Sequence, residues 1–229
     1  MPEPTLSVER VSVAYGIGSG RVQALSDVSL SFGPGLTLVQ GHSGSGKTTL
    51  LSILGCILRP DSGRVWVMDQ DITKYSEGVL SSIRRSYVGY VFQAFRLFRA
   101  LSALENVTLS LALSGWGKRE ARCRAEASLE NLGLFAKRHR LPKELSGGEK
   151  QRVAIARALV CDPPIVLADE PTASLDSTAG EQIANILQDL ASKESRLVVV
   201  VSHDARWRDY SNRTLWMSDG RLVNEAQLS

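Results

Sequence analysis

A glycine-rich stretch between an apolar segment and a helical one constrains the fold of this 229-residue chain more than any other feature. It runs from Gly41 to Thr48 and fits the pattern G-x-x-x-x-G-K-[ST]. Residues 35–40 before it are typical of a buried strand, and the residues after Lys47 have helical spacing. Glycines let backbone N–H groups close around phosphate oxygens, and a helix N-terminus adds partial positive charge. The sequence therefore predicts a phosphate-binding loop between a strand and a helix.

Within this motif, two side chains have chemistry of their own. The ammonium group of Lys47 can reach the β- and γ-phosphates of a nucleotide, and the hydroxyl of Thr48 can ligate Mg²⁺. The remaining contacts are expected from the loop itself and from the first turn of the helix. The predicted nucleotide-contacting residues are Gly41, His42, Ser43, Gly44, Ser45, Gly46, Lys47, Thr48 and Thr49.

Two acidic residues end a second apolar segment, at residues 164–169. In a parallel α/β sheet, ligands bind at the carboxyl ends of the strands. We therefore expect Asp169 to hold Mg²⁺, directly or through water, and Glu170 to polarise an attacking water as a general base. The alternative is that the acidic pair only caps the helix that follows.

The order of the remaining segments predicts an α/β fold. Period-two alternation at residues 6–15 and 28–32, with Gly33-Pro34-Gly35, predicts antiparallel strands and a turn near the N-terminus. Helices and strands then alternate, which is typical of a mostly parallel sheet. The predicted helices cover residues 47–58, 147–160 and 180–193, the strands cover residues 164–169 and 196–202, and a hairpin covers residues 214–223.

The middle of the chain has helical spacing and little strand character. We therefore predict a single domain over residues 1–229, in which residues 1–95 and 143–229 form the core and residues from about 96 to 142 form an inserted helical subdomain. Its basic stretch from Gly117 onward is expected to be a solvated helical face, with a membrane or partner contact as the alternative. Trp116 is either an exposed partner contact or a buried loop anchor.

Composition and charge exclude several classes. The net charge of +3 is mild, whereas nucleic-acid-binding domains are usually strongly basic, so no nucleic-acid partner is expected. Three cysteines without C-x-x-C spacing favour a reducing compartment over a disulfide framework or a zinc site. The chain has neither a signal peptide nor an apolar run of about 18 residues, so a cytosolic protein is predicted.

A second glycine loop lies about a hundred residues after the first, in the stretch Glu144–Arg152, ELSGGEKQR. Ser146 and Glu149 have the spacing of a capping box, so a helix is expected to begin here. Its free backbone N–H groups and positive dipole end make a second possible anion site. On spacing alone, an ordinary capped helix is the favoured interpretation.

LSGGEKQR resembles the signature sequence of the ATP-binding cassette (ABC) ATPases, and it stands between a phosphate loop and an "ADE" strand as in that family. Other family elements match in order along nearly the whole chain. Tyr15 matches the aromatic that stacks on adenine, and Gln93 matches the glutamine loop. Ser174-Leu175-Asp176 matches the D-loop, and His203 matches the switch histidine.

The resemblance implies the fold of the P-loop NTPases, ATP hydrolysis with Mg²⁺, and the role of each matching residue. Gln93 would contact Mg²⁺ or the attacking water, and His203 would contact the γ-phosphate. In the family, two copies pack head to tail, and the signature loop of one copy covers the ATP of the other. Ser146, Gly147, Gly148 and Asp176 would therefore act in trans.

Several stretches resemble a narrower branch of the family, the ATPases of macrolide-type efflux, lipoprotein-release and glycolipid-export systems. A separate permease subunit at the inner membrane is expected, with its coupling helix near Gln93 and the helical subdomain. The ATPase of the bacterial cell-division pair shares the pattern, so an ATP-driven regulatory module that moves no substrate is the alternative. His42 and Ala173 depart from the usual residues of this branch.

Overall fold

Two β-sheets with different strand directions organise the chain. The computed structural model describes residues 5–16, 18–173 and 175–223. The strands of the described part are β1 (Leu6–Tyr15), β2 (Val22–Phe32), β3 (Gly35–Gln40), β4 (Ser62–Val67), β5 (Gln70–Asp71), β6 (Val88–Val91), β7 (Ile165–Asp169), β8 (Leu197–Val201), β9 (Arg213–Ser218) and β10 (Arg221–Val223). The helices are α1 (Lys47–Leu54), α2 (Glu77–Tyr87), α3 (Ala103–Leu113), α4 (Lys118–Asn131), α5 (Gly147–Leu159) and α6 (Ser177–Lys193).

The first sheet is antiparallel and has the order β2-β1-β4-β5, whereas the second has the order β10-β9-β3-β8-β7-β6. In the second sheet, β9, β3, β8, β7 and β6 are parallel to one another, and only β10 runs antiparallel to its neighbour. The predicted α/β class is confirmed, with a mostly parallel sheet, an N-terminal antiparallel part and helices inserted between β6 and β7.

The central parallel strands are apolar along their whole length because both of their faces are covered. Successive residues of β7 and β8 point alternately into two hydrophobic clusters. Ile165 and Val199 join the cluster that contains α1 and the antiparallel sheet, whereas Val166 and Val198 join the cluster under α6. The two clusters hold the carboxyl ends of the strands, and the loops that follow them, in fixed positions.

A third cluster joins α3, α4 and α5, with Leu111, Leu129 and Val153 fully buried in it. Trp116 is half-buried against this cluster, and the guanidinium of Arg124 lies 4.1 Å from the centre of its ring. Trp116 is thus a loop anchor, one of the two alternatives that the sequence left open. The predicted bounds of the helical subdomain stay a prediction.

Two sequence-based expectations about local structure were wrong. Gly33-Pro34-Gly35 does not join paired strands, because β2 and β3 lie in different sheets and the turn carries the chain from one to the other. The first helix ends at Leu54, not near residue 58, because the N–H of Gly55 caps the last turn and Cys56 takes a left-handed conformation with φ of 55°. Elements β4, β5, β6 and α2 were not predicted.

Within the described residues, every helix is too short or too polar to cross a membrane.

Candidate functional site

An open cleft lies where the loops after β3, β7 and β8 meet at the carboxyl edge of the parallel sheet. Its volume is about 710 Å³, which is large enough for a nucleotide-sized ligand. Residues from six separate parts of the chain line it, and most of them were predicted from the sequence. The lining residues are Tyr15, Val22, Gln23, Ala24, His42, Ser43, Gly44, Gly46, Lys47, Thr48, Thr49, Gln93, Glu170, Val201 and His203.

The phosphate loop follows β3 and turns tightly into α1. Gly46 has φ of 99°, and a Cβ atom there would lie 2.4 Å from the carbonyl oxygen of Ala24. Gly41 is equally confined, since a Cβ would lie 2.2 Å from the carbonyl oxygen of Met217. Both positions need glycine for sterics as well as for backbone conformation. Ser45 is buried beneath the loop, and its carbonyl oxygen accepts a hydrogen bond from Gly220 N–H at 3.0 Å.

The ammonium group of Lys47 lies inside the curve of this loop. It donates hydrogen bonds to the carbonyl oxygens of Gly41 at 2.8 Å and of His42 at 2.7 Å. Burial lowers the pKa of Lys47, although the nearby carboxylates of Glu170 and Asp169 oppose this shift. The loop therefore holds a desolvated cation, which is suited to bind a phosphate group.

Thr48 and Asp169 lie together although they are 121 residues apart in sequence. The Thr48 hydroxyl donates to Oδ1 of Asp169 at 3.1 Å, and burial raises the pKa of this carboxyl. A hydroxyl and a carboxylate are hard oxygen ligands, and Mg²⁺ is usually bound by one or two such groups together with phosphates of the substrate. The donor set thus fits the magnesium ion that the sequence predicts.

Glu170 immediately follows β7 and has a left-handed backbone conformation, with φ of 45°. Its Oε1 accepts from the backbone N–H of His203 at 3.1 Å and lies 2.7 Å from the Nδ1 atom of that ring. Its Oε2 accepts from the hydroxyl of Ser202 at 2.9 Å. A carboxylate fixed at both oxygens faces the cleft with a defined orientation.

Ser202 was missed by the sequence analysis. It follows β8 directly and is fully buried, and its hydroxyl also accepts from the N–H of Asp204 at 3.2 Å. The rule that ligand sites lie at the carboxyl ends of parallel strands could have identified it, since it shares that position with His203.

The remaining predicted residues of the cleft lie at its margins. Tyr15 is half-exposed at the end of β1, where a planar ring could stack on its accessible face. Gln93 is exposed in the loop after β6. The ring of His42 has Nδ1 2.8 Å from the carbonyl oxygen of Ser43 and Nε2 3.4 Å from the Ser218 hydroxyl.

The second glycine loop does not line this cleft in the same chain. Ser146 caps α5 in the predicted capping box, in which its N–H donates to Oε2 of Glu149 at 2.9 Å. Gly148 is so close to α6 that a Cβ would lie 3.0 Å from Cβ of Ala179. Asp176 caps α6 and accepts from the N–H of Ala179 at 2.9 Å. The signature loop and the Asp176 segment thus form one continuous surface, while Ser174 lies outside the described residues.

Helix α5 also contacts the loop that carries Gln93. The guanidinium of Arg157 donates to the carbonyl oxygens of Phe95 at 2.8 Å and of Arg96 at 2.6 Å. Both of those residues have positive φ, 58° and 47°. The two hydrogen bonds offset the cost of consecutive left-handed residues.

A model of the ABC transporter family matches residues 25–173 of the chain, which is more than half of its length. The chain belongs to the ABC transporter family. The family match and the similar cassette structures confirm that the chain is an ATP-binding cassette with ATPase activity. The signature role of LSGGEKQR stays a prediction.

Individual ABC proteins align along nearly the whole chain. It is 42% identical over 220 residues to the uncharacterized ABC transporter ATP-binding protein YvrO of Bacillus subtilis (strain 168), covering 95% of each protein. It is 39% identical over 228 residues to the macrolide export ATP-binding/permease protein MacB of Sodalis glossinidius (strain morsitans), covering 99% of this chain. The chain spans only 35% of that MacB protein.

Among solved ABC structures, a dimeric post-hydrolysis state of the ATP-binding cassette MJ0796, bound to ADP and Pi, is similar. The TM-score is 0.91 at 38% sequence identity, and the match covers 96% of this chain and 97% of the other. The cassette CbiO1 from Clostridium perfringens, part of the transporter complex CbiONQ, matches with a TM-score of 0.83 at 29% identity. The overall architecture is therefore that of an ABC cassette.

Proposed function

We propose that this ABC cassette hydrolyses Mg²⁺-ATP in the phosphate-loop cleft and uses the cycle to drive a membrane partner. One observation carries the proposal: Tyr15, Lys47, Gln93, Glu170 and His203, which lie far apart in sequence, all line one cleft. These residues supply a stacking face, a phosphate-binding cation, a polar contact to the site of attack, a base and a γ-phosphate contact. Catalysis by positioning and electrostatics is typical of phosphoryl transfer.

Each group has a role that follows from its contacts. Lys47 and the loop amides bind the β- and γ-phosphates. Thr48, Asp169 and Gln93 would hold Mg²⁺, which supplies positive charge that offsets the charge of the phosphates. Glu170 accepts the proton of the attacking water, and its hydrogen bonds to Ser202 and His203 orient the carboxylate for that transfer.

The signature loop serves a second copy of the chain in this proposal. Gly147 and Gly148 begin α5 at its positive dipole end, directly after the N-cap residue Ser146, yet none of the three lines the cleft of its own chain. The dimeric state of the MJ0796 cassette supports a head-to-tail pair. Asp176, on the same surface, would lie at the edge of the site in the other copy.

The test is size-exclusion chromatography with light scattering on Glu170→Gln, with and without Mg²⁺-ATP. We expect a dimer only with ATP, and a monomer when Ser146→Arg is added, because a bulky cation then occupies the surface that should cover the γ-phosphate. Ser76→Arg is the matched control, since Ser76 is an exposed N-cap residue at α2. A chain that binds ATP and stays monomeric contradicts self-assembly, and a chain that binds no ATP contradicts the cleft assignment.

The membrane partner is proposed to dock in a groove beside Gln93, here called the arginine groove. Its cations are Arg84, Arg85, Arg96 and Arg157, and none of the described residues that line it is acidic. Phe98 and Leu113, which also line it, are 54% and 64% exposed. A short helix with acidic side chains and an apolar face complements this surface.

Reversing one charge of the arginine groove tests this docking site. We expect Arg85→Glu to reduce co-purification with the co-expressed membrane subunit in detergent by at least about tenfold, because like charges across an interface cost several kcal/mol. ATP hydrolysis by the isolated chain should stay unchanged. Arg64→Glu, on β4 and outside the groove, is the control. Equal co-purification of both variants contradicts the docking site.

We propose that the cassette lies at the cytoplasmic face of the membrane and drives export or the release of lipid or lipoprotein. The MacB relatives, which are named for macrolide export, support this direction. The separate nature of the membrane subunit stays a prediction. The regulatory alternative, in which the cassette moves no substrate, gains no specific support from the site.

A further inference from the structure

A buried glutamine joins the phosphate loop to the loop that carries His203. Gln40 is the last residue of β3, immediately before Gly41, and only 2% of its surface is exposed. Its Oε1 accepts from Nε of Arg208 at 2.8 Å, and its Nε2 donates to the backbone carbonyl oxygen of Asp204 at 3.3 Å. Both ends of a buried amide are thus satisfied, as burial of a polar group requires.

Arg208 is fixed in turn by the neighbouring strand. Trp216 of β9 is paired in register with Gln40, and the guanidinium of Arg208 lies 4.7 Å from the centre of its indole ring. Arg208 is therefore held between a ring and an amide oxygen. This leaves the amide nitrogen of Gln40 pointing at Asp204, so the direction of the second hydrogen bond is determined.

Asp204 belongs to the short loop that orients the proposed catalytic groups. Its N–H donates to the hydroxyl of Ser202 at 3.2 Å, and that hydroxyl donates to Oε2 of Glu170 at 2.9 Å. Between them lies His203, whose N–H donates to Oε1 of Glu170. The chain of contacts thus runs from the base of the phosphate loop, through Gln40 and the backbone of Asp204, to both oxygens of Glu170.

We propose that Gln40 is a positioning residue that fixes the His203 loop relative to the phosphate loop. Gln40 would not contact the nucleotide itself. It would affect the rate of hydrolysis by fixing the positions of His203 and Glu170 next to the γ-phosphate. The inference rests on the proposed roles of those two residues. This role explains why β3 ends in a buried polar side chain, although the residues before it, from Leu36 to Val39, are equally buried and mostly apolar.

The decisive variant is Gln40→Glu, which is nearly isosteric. A carboxylate still accepts from Arg208, so folding is retained, but it cannot donate to the carbonyl of Asp204 and instead repels it. We expect kcat for ATP to fall about tenfold or more, because small displacements of catalytic groups are costly. The Kd for ADP should stay within about twofold, since the phosphate loop and Tyr15 are untouched. Gln70→Glu, on exposed β5, is the matched control.

Two further measurements separate positioning from a purely structural role. In a His203→Ala background, Gln40→Glu should cause a smaller loss of kcat than in the wild type, because the part of its effect that acts through the His203 side chain is already gone and only the contacts to Glu170 remain. Gln40→Met, which removes both hydrogen bonds, should reduce kcat as much as Gln40→Glu does. Thermal denaturation of each variant establishes that the loss occurs in folded protein.

The outcomes are distinct for each claim. Wild-type kcat in folded Gln40→Glu, or fully additive losses with His203→Ala, overturns the positioning role. Equal weakening of ADP binding and turnover also overturns it, since the effect is then on the phosphate loop. Wild-type turnover in His203→Ala alone overturns the proposed role of His203 itself, whatever Gln40 does.

Discussion

Glu170→Gln is expected to lower kcat for ATP hydrolysis by about 10²–10⁴-fold, the usual contribution of a general base. The substitution keeps the size and planarity of the side chain. The new carbonyl oxygen can accept from the N–H of His203 and the amide nitrogen can donate to the Ser202 hydroxyl, so the loop geometry persists. What it removes is the capacity to take a proton from water. ATP binding should therefore be unchanged while turnover is lost.

The measurement is single-turnover hydrolysis of radiolabelled ATP, with equilibrium binding of ATP followed in parallel. Glu130→Gln, the same chemical change on the exposed side of α4, is the control and should retain the wild-type rate. A Glu170→Gln variant that hydrolyses ATP at the wild-type rate contradicts the assignment of the base. Loss of ATP binding together with hydrolysis indicates instead that Glu170 maintains the shape of the cleft.

Lys47→Met should abolish tight nucleotide binding without harming the fold. The ammonium group supplies the only side-chain cation among the described residues that line the cleft, apart from protonatable histidines. Losing a buried charge contact to the phosphates costs about 2–5 kcal/mol, so we expect the Kd for ATP to rise by at least about 30-fold.

The stability of the same variant should change little or increase. Burial lowers the pKa of Lys47 in the folded chain, so the cation costs stability at every pH below that pKa, and this cost decreases as the pH rises through it. Methionine fills the same volume without a charge. Thermal denaturation in the absence of nucleotide, at pH 7 and pH 10, measures both effects.

Lys47→Arg is the matched variant, since it keeps the charge but not the compact ammonium geometry inside the loop. Nucleotide affinity of Lys47→Met close to that of the wild type contradicts the role of Lys47. A marked loss of stability in Lys47→Met shows that its hydrogen bonds to Gly41 and His42 hold the loop together.

The sequence predicted those parts of the site that are formed by residues close together in the chain. The phosphate loop is recognisable because Gly41, Gly46 and Lys47 have fixed spacing, and the structure explains both glycines, since a Cβ at either position would lie within 2.4 Å of a backbone oxygen. Asp169 and Glu170 were identified because they end an apolar strand. The contact of Thr48 with Asp169 spans 121 residues and depends on strand order, which no local pattern contains.

The elements that escaped prediction have weak local patterns. Helix α2 buries only Leu80 and Ile83, so its apolar stripe is too short to stand out. The strands β4 and β6 carry few apolar residues on a regular face. Gln40 and Ser202 were missed for a different reason, because a polar residue near an apolar strand reveals its role only through partners that folding brings to it.

The hydrogen bonds from Arg157 to the loop after Gln93 have a mechanical consequence. Helix α5 begins next to the signature residue Ser146, and in its last turn Arg157 holds the carbonyl oxygens of Phe95 and Arg96. In the proposed complex, a displacement of that loop by the membrane partner would therefore be transmitted along α5. In the proposed head-to-tail pair, the other end of this helix would contact the ATP of the other copy, so the state of each membrane partner would affect the nucleotide bound to the opposite cassette.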